Sequence, residues 1–207
     1  MESERKALLL NHTATYDYLG ARCCLLNGLI DPGYILSQQA LEKMLKCYIL
    51  VHNPGESFKK NSRYPLHDLN SLLQRLQDFS QLQFAKYDNL CFTLTKAYHS
   101  LRYPDNPHIT TYGINTLSTK VIDEVDEMFI DLFVQLPVED KTKCRIGLLG
   151  LILISNNARG IELFVKANKA YLSRINFFGK TLNWWEMSNA EREKHTNIEI
   201  KDIRIID

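Results

Sequence analysis

The sequence predicts an all-α protein, an up-and-down helical bundle of four to five helices. Three observations predict it. Five successive stretches repeat apolar residues at the spacing of one helical face. Glycine, proline and polar breaks separate those stretches. The 207 residues are 45% hydrophobic and 24% charged, enough apolar material for one sizeable core and too much for a disordered chain.

Helix one is expected from about Leu8 to Leu26, where Leu10, Ala14, Tyr18, Ala21 and Leu25 share a face. Gly28 ends it. Helix two is expected to start with Asp31 as N-cap and Pro32 at the first helical position. Its stripe is Leu41, Leu45, Tyr48, Ile49 and His52, and Glu42 and Lys46 sit one turn apart in the favourable order. Asn53-Pro54-Gly55 stops it, and a polar loop runs on to Pro65.

Helix three opens at Asp68, a capping residue, and carries Leu69, Leu72, Leu73, Leu76 and Phe79. Helix four has the cleanest period: Tyr87, Leu90, Cys91, Leu94, Ala97, Tyr98 and Leu101. Pro104 and Pro107 then exclude further helix. Helix five, about Thr116 to Leu136, buries Val121, Val125, Met128, Phe129, Leu132 and Leu136. Asp123, Glu124, Asp126, Glu127 and Asp131 are read as its solvated face rather than as metal ligands.

Residues 137–207 are expected to form a C-terminal extension packed on the same domain. It holds helical patterns at 139–155 and 157–174, a capping box at Ser188 and Glu191, adjacent Trp184 and Trp185, and a partly alternating end that suits a short strand.

Charge and cysteines narrow the function classes. The 25 basic and 24 acidic residues leave a net charge of +1, divided evenly between the two halves of the chain. A protein gripping duplex nucleic acid by its phosphates needs a clear basic excess. The five cysteines show no metal-ligand or redox spacing and read as small apolar residues of a reducing compartment. Neither a leader pattern nor a membrane-length apolar run occurs, so a cytoplasmic protein without membrane association is expected. No motif calls for a cofactor or a metal.

Four strings occur in order: Tyr18-Leu19-Gly20-Ala21-Arg22, then Gln39 to Lys46, then His67-Asp68-Leu69, then Leu101-Arg102-Tyr103-Pro104-Asp105. Together they resemble the HEPN family over about residues 8–136, small helical domains linked to nucleotide binding and RNA cleavage. The resemblance implies a bundle that commonly forms a homodimer, with a nucleotide, RNA or protein partner. In its ribonuclease branches an arginine is followed four to six residues later by histidine, which here points to Arg102 and His108 as the catalytic pair of a metal-independent, toxin-like ribonuclease. A nucleotidyltransferase-like antitoxin would then be the partner.

This sequence has Tyr103 where those branches commonly have asparagine, and it stiffens the segment with Pro104 and Pro107, which favours binding without catalysis. A purely structural dimer is the third reading. The chemistry of the binding set is that of an anion site. Arg102 can hold a phosphate by paired hydrogen bonds. Tyr103, Asp105, His67 and Asp68 supply polar neighbours, and Lys43 and Lys46 supply positive charge.

Overall fold

The structure, a computed structural model, describes residues 2–56, 58, 67–77, 84–103, 117–135, 163–164 and 167–173. The chain divides into two compact units, Met1–Pro137 and Val138–Asp207. The described residues are mostly helical and include no strand. None of their helices is long and apolar enough to cross a membrane.

The first unit contains α1 (Glu2–Leu26), α2 (Ile30–His52), α3 (Leu69–Gln77), α4 (Asp88–Arg102) and α5 (Val121–Gln135). Helices α1 and α2 are antiparallel, since Ser3 reaches Pro54, Lys43 pairs with Asp17, and Gly33 lies against Leu25. A Cβ on Gly33 would sit 2.6 Å from Leu25 side-chain atoms, so glycine there lets the helices approach. The turn between them is built locally. Gly28 takes the left-handed φ of 77°, while Leu29 N–H bonds to Cys24 O (2.8 Å) and Gly28 N–H to Leu25 O (3.1 Å), which satisfies the last carbonyls of α1.

Three expected boundaries shift. Helix α5 begins at Val121, after a turn at residues 119–120, rather than near Thr116. Helix α1 begins at Glu2 rather than near Leu8, because Ser3 Oγ donates to Pro54 O (2.6 Å) and Lys6 sits over the Phe58 ring, tying its first turns to the segment after α2. Helix α2 begins at Ile30 with Leu29 as its cap, and no side chain caps it. Asp31 therefore lies in the first turn, where its charge suits the helix dipole, instead of acting as N-cap.

Helix α2 is the spine. It packs against α1, α3, α4 and α5, and 14 of its 23 residues are buried, so its contacts go all round rather than along one stripe. The expected stripes otherwise form the core: Ala14, Tyr18, Ala21 and Leu25 of α1, the α3 leucines, Leu90 and Leu94 of α4, and Val125, Met128, Phe129 and Leu132 of α5 are all buried. Leu10 and Leu101 are half-buried, and His52 departs from its stripe. It is exposed at the last turn of α2, with its ring stacked on Tyr48. Phe79 and Leu136 lie outside the described residues.

The acidic face of α5 also departs from expectation. Asp123, Glu124 and Glu127 are exposed, whereas Asp126 and Asp131 are buried. Asp126 pairs with Arg22 of α1, and both are 1% exposed. Tyr18 Oη donates to the other Asp126 oxygen (2.6 Å), and the Tyr18 ring stacks on Phe129 at 4.0 Å. Asp131 accepts a hydrogen bond from Tyr87 and lies 3.0 Å from Lys86 Nζ. Acids three to five residues apart reach different neighbours around a helix, so the cluster splits between solvent and core.

In the second unit, α6 (Lys169–Ser173) is capped by Asn168, whose Oδ1 accepts from Tyr171 N–H (2.8 Å). The Phe164 and Tyr171 rings meet edge to face at 5.3 Å. The expected helix at 139–155, Trp184 and Trp185, the Ser188–Glu191 box and the terminal strand lie outside the described residues.

The Arg22–Asp126 pair yields a stability test. Burial pushes the Asp126 carboxyl up, against the opposing influence of Arg22 and Tyr18. Arg22→Met strands that carboxylate in the core and should cost about 3–5 kcal/mol, read from urea midpoints. The double variant Arg22→Met with Asp126→Leu should be more stable than Arg22→Met alone, because no uncompensated charge remains. Equal losses in the two would show that the ion pair is not what that region depends on.

Candidate functional site

Three polar residues run along α2 at one-turn intervals, Gln38, Glu42 and Lys46, and all three are buried. Gln38 Nε2 donates to Glu42 Oε2 (2.9 Å) and to the backbone carbonyl of His67 (3.0 Å). Lys46 Nζ donates to Glu42 Oε1 (2.5 Å) and lies 5.6 Å from the centre of the Phe58 ring. Because both partners of the Gln38 amide nitrogen are acceptors, its orientation is determined. Its Oε1 is buried and has no hydrogen-bond partner among the described residues.

Glu42 also orients His67. Both of its carboxylate oxygens lie 3.1 Å from His67 Nδ1. A carboxylate only accepts, so the neutral imidazole carries its proton on Nδ1 and leaves Nε2 bare. The His67 side chain is half exposed. Its backbone is held by Gln38 on one side and by the α3 cap on the other. Asp68 Oδ1 accepts from Asn70 N–H (3.0 Å), Asp68 Oδ2 accepts from Ser71 Oγ (2.8 Å), and Thr95 of α4 accepts from Leu69 N–H (3.1 Å).

The end of α4 completes the cluster. Tyr103 N–H bonds to His99 O (3.0 Å) and closes the last turn. Arg102 Nη1 donates to Tyr98 Oη (2.8 Å), and the guanidinium carbon lies 5.4 Å from the Tyr98 ring centre and 6.0 Å from that of Tyr103. Tyr98 is buried, and its ring lies 6.2 Å from His67, 5.6 Å from His99 and 6.5 Å from Tyr103. Burial raises the Tyr98 hydroxyl, with Arg102 and a hydrogen bond to Gln39 pulling the other way. It is therefore a neutral phenol that accepts from Arg102.

The structure thus brings together His67, Asp68, Lys46, Arg102 and Tyr103 around Tyr98 and Glu42. Lys43, expected with them, pairs with Asp17 of α1 instead. Asp105 and His108 lie outside the described residues. Gln38, Gln39, Glu42 and Tyr98 were not anticipated as site residues. The signal for the first and third is their place in a row of polar residues, Gln38, Glu42 and Lys46, repeating every fourth position along the helix. Tyr98 was legible only as core. Among the described residues no group of three His, Cys, Asp or Glu is placed to hold a metal ion.

The chemistry available is that of anion recognition. Lys46 offsets the Glu42 charge, Asp68 is engaged in capping, and among the described residues no carboxylate forms an ion pair with Arg102. Burial holds His99 below the ordinary value of 6.5, aided by His67 and Lys96 and opposed by Asp68 and Glu42. In the unfolded chain His99 takes up its proton near 6.5, and in the folded chain only at lower pH. Its contribution to stability is therefore present above about 6.5 and is lost as pH falls through the depressed folded value. Denaturation midpoints between pH 5 and 7.5 should fall more steeply with acid in the wild type than in His99→Gln. Parallel curves would show that His99 is not perturbed.

The comparisons with known proteins agree with this architecture. No curated protein and no solved structure matches the chain significantly. The family model described as HEPN domain matches residues 7–124, which take in most of α1, all of α2 to α4 and the first turn of α5. That is more than half of the 207 residues, and the chain belongs to the HEPN domain family.

Proposed function

We propose that this HEPN chain binds a nucleotide or RNA by its phosphate at the Arg102 end of α4, without cleaving it. One observation carries the reading. The Arg102 guanidinium is held in place by an aromatic hydroxyl and two rings, and no carboxylate among the described residues neutralises it. A cation positioned by neutral groups keeps its charge available for an anion and loses little side-chain freedom on binding. Nucleotide or RNA binding, and ribonuclease activity in some members, are associated with this family.

Cleavage requires a proton acceptor beside the phosphate that Arg102 holds. Pro104 and Pro107 stiffen the segment that would have to return His108 to Arg102.

Purified protein incubated with single-stranded RNA in chelator should leave the RNA intact. Nucleotide or RNA binding should weaken about 10- to 100-fold in Arg102→Ala, the worth of a charge-assisted hydrogen bond. Cleavage in chelator that disappears in both Arg102→Ala and His108→Ala would overturn the reading and make the chain a metal-independent ribonuclease. No binding at all would leave a structural dimer or adaptor.

Pairing of two copies belongs to the same proposal, since HEPN domains often mediate dimerisation. Light scattering at micromolar concentration should give twice 24.0 kDa, and a mass of 24.0 kDa would reject it.

A further inference from the structure

We infer that Tyr103 is a base-stacking residue, so that the site takes an unpaired nucleobase together with its phosphate, and not a phosphate group alone. The inference rests on the anion site just proposed and names its ligand class.

Tyr103 is 45% exposed, yet its ring is bordered by ordered neighbours. Tyr98 meets it edge to face at 6.5 Å and 78°, His99 lies at 6.3 Å and 30°, and the Arg102 guanidinium lies 6.0 Å from its centre. Its backbone is fixed by the last hydrogen bond of α4. These contacts restrict the ring while the residue stays exposed to water, which is what a preorganised stacking platform requires.

The neighbours specify the ligand. The cation that borders the ring is Arg102, the group offered to phosphate, so one nucleotide can place its phosphate on the guanidinium and its base on the phenol. Base stacking on tyrosine is tolerant of sequence, because each base has a π face, and it requires that the face be free. A paired duplex keeps its bases stacked on one another, and the chain's net charge of +1 gives no long-range grip on a duplex backbone. An acidic peptide could satisfy Arg102 but would leave the Tyr103 face unused. The chemistry is shared by a free nucleotide and by single-stranded RNA, and the experiment separates these sources.

Calorimetry on the full chain should compare AMP, ribose 5-phosphate, inorganic phosphate, tetra-adenylate RNA and a blunt RNA duplex. AMP or tetra-adenylate should bind about 5- to 150-fold more tightly than ribose 5-phosphate, the range that one base stack supplies. The tighter of the two identifies the source. Tyr103→Phe should keep that advantage. Tyr103→Leu, which retains apolar bulk without the π face, should bring AMP to within about twofold of ribose 5-phosphate measured on the same variant, a ratio that does not depend on how far the lost contact with Arg102 weakens both probes. Circular dichroism on both variants checks the helical fold.

If AMP and ribose 5-phosphate bind equally, or Tyr103→Leu leaves AMP unchanged, stacking is refuted. The anion site then still stands, provided that Arg102→Ala weakens both probes. Tighter binding of the duplex than of the single strand would also refute it. If no probe binds the wild type, both proposals fall.

Discussion

Every polar side chain on the buried faces of α2 must find its partner within the protein, and that constraint builds the site. The helix is enclosed by α1, α3, α4 and α5, so Gln38, Glu42 and Lys46 have little access to water. An unmatched buried charge is strongly destabilising. The three residues bond to one another along the helix and to groups beyond it, with Gln38 Oε1 left without a partner among the described residues. Gln38 holds the carbonyl of His67, and Glu42 holds its imidazole. The entry to α3 is thereby set against the middle of α2 by hydrogen bonds rather than by apolar contact alone.

A second set of buried polar contacts fixes the other side of the bundle. Arg22 and Tyr18 of α1 converge on Asp126, and Tyr87 ahead of α4 converges on Asp131. These partners give α5 a defined rotation, because a turn of the helix about its axis would expose apolar residues and strand both acids. Helix α4 is held by α5 through Tyr87 and by the start of α3 through Thr95. Its last turn, which carries Tyr98, Arg102 and Tyr103, is therefore presented from a rigid element, as a binding constellation requires.

Carboxylates within the site would repel an anion if they were unengaged, and both are engaged. Glu42 faces Lys46, and Asp68 accepts from backbone and hydroxyl groups at the start of α3. Arg102 carries the charge at this site that has no acidic partner among the described residues, and it is bounded by π faces and a neutral phenol. The aromatic surroundings orient the cation without cancelling it.

Five helices, their order and most of their buried faces were legible in the sequence, because helical period and breakers are local properties. Leu72, Leu76, Leu90, Leu94, Val125 and Phe129 could be assigned to the core from spacing alone. The capping role of Asp68 was legible for the same reason, since its partners are two and three residues away. Membership in the HEPN family was legible from the order of short strings. What only the tertiary structure decided is every contact made across long sequence separation. Asp126 looks like its exposed neighbours until Arg22, 104 residues away, is brought beside it. Glu42 looks like half of a surface pair until His67 arrives, and Tyr98 looks like core until Arg102 and Gln39 claim its hydroxyl. Periodicity states which face of a helix is apolar. Which polar groups lie at the seams between faces depends on how the helices pack, and in this chain those seams form the candidate site.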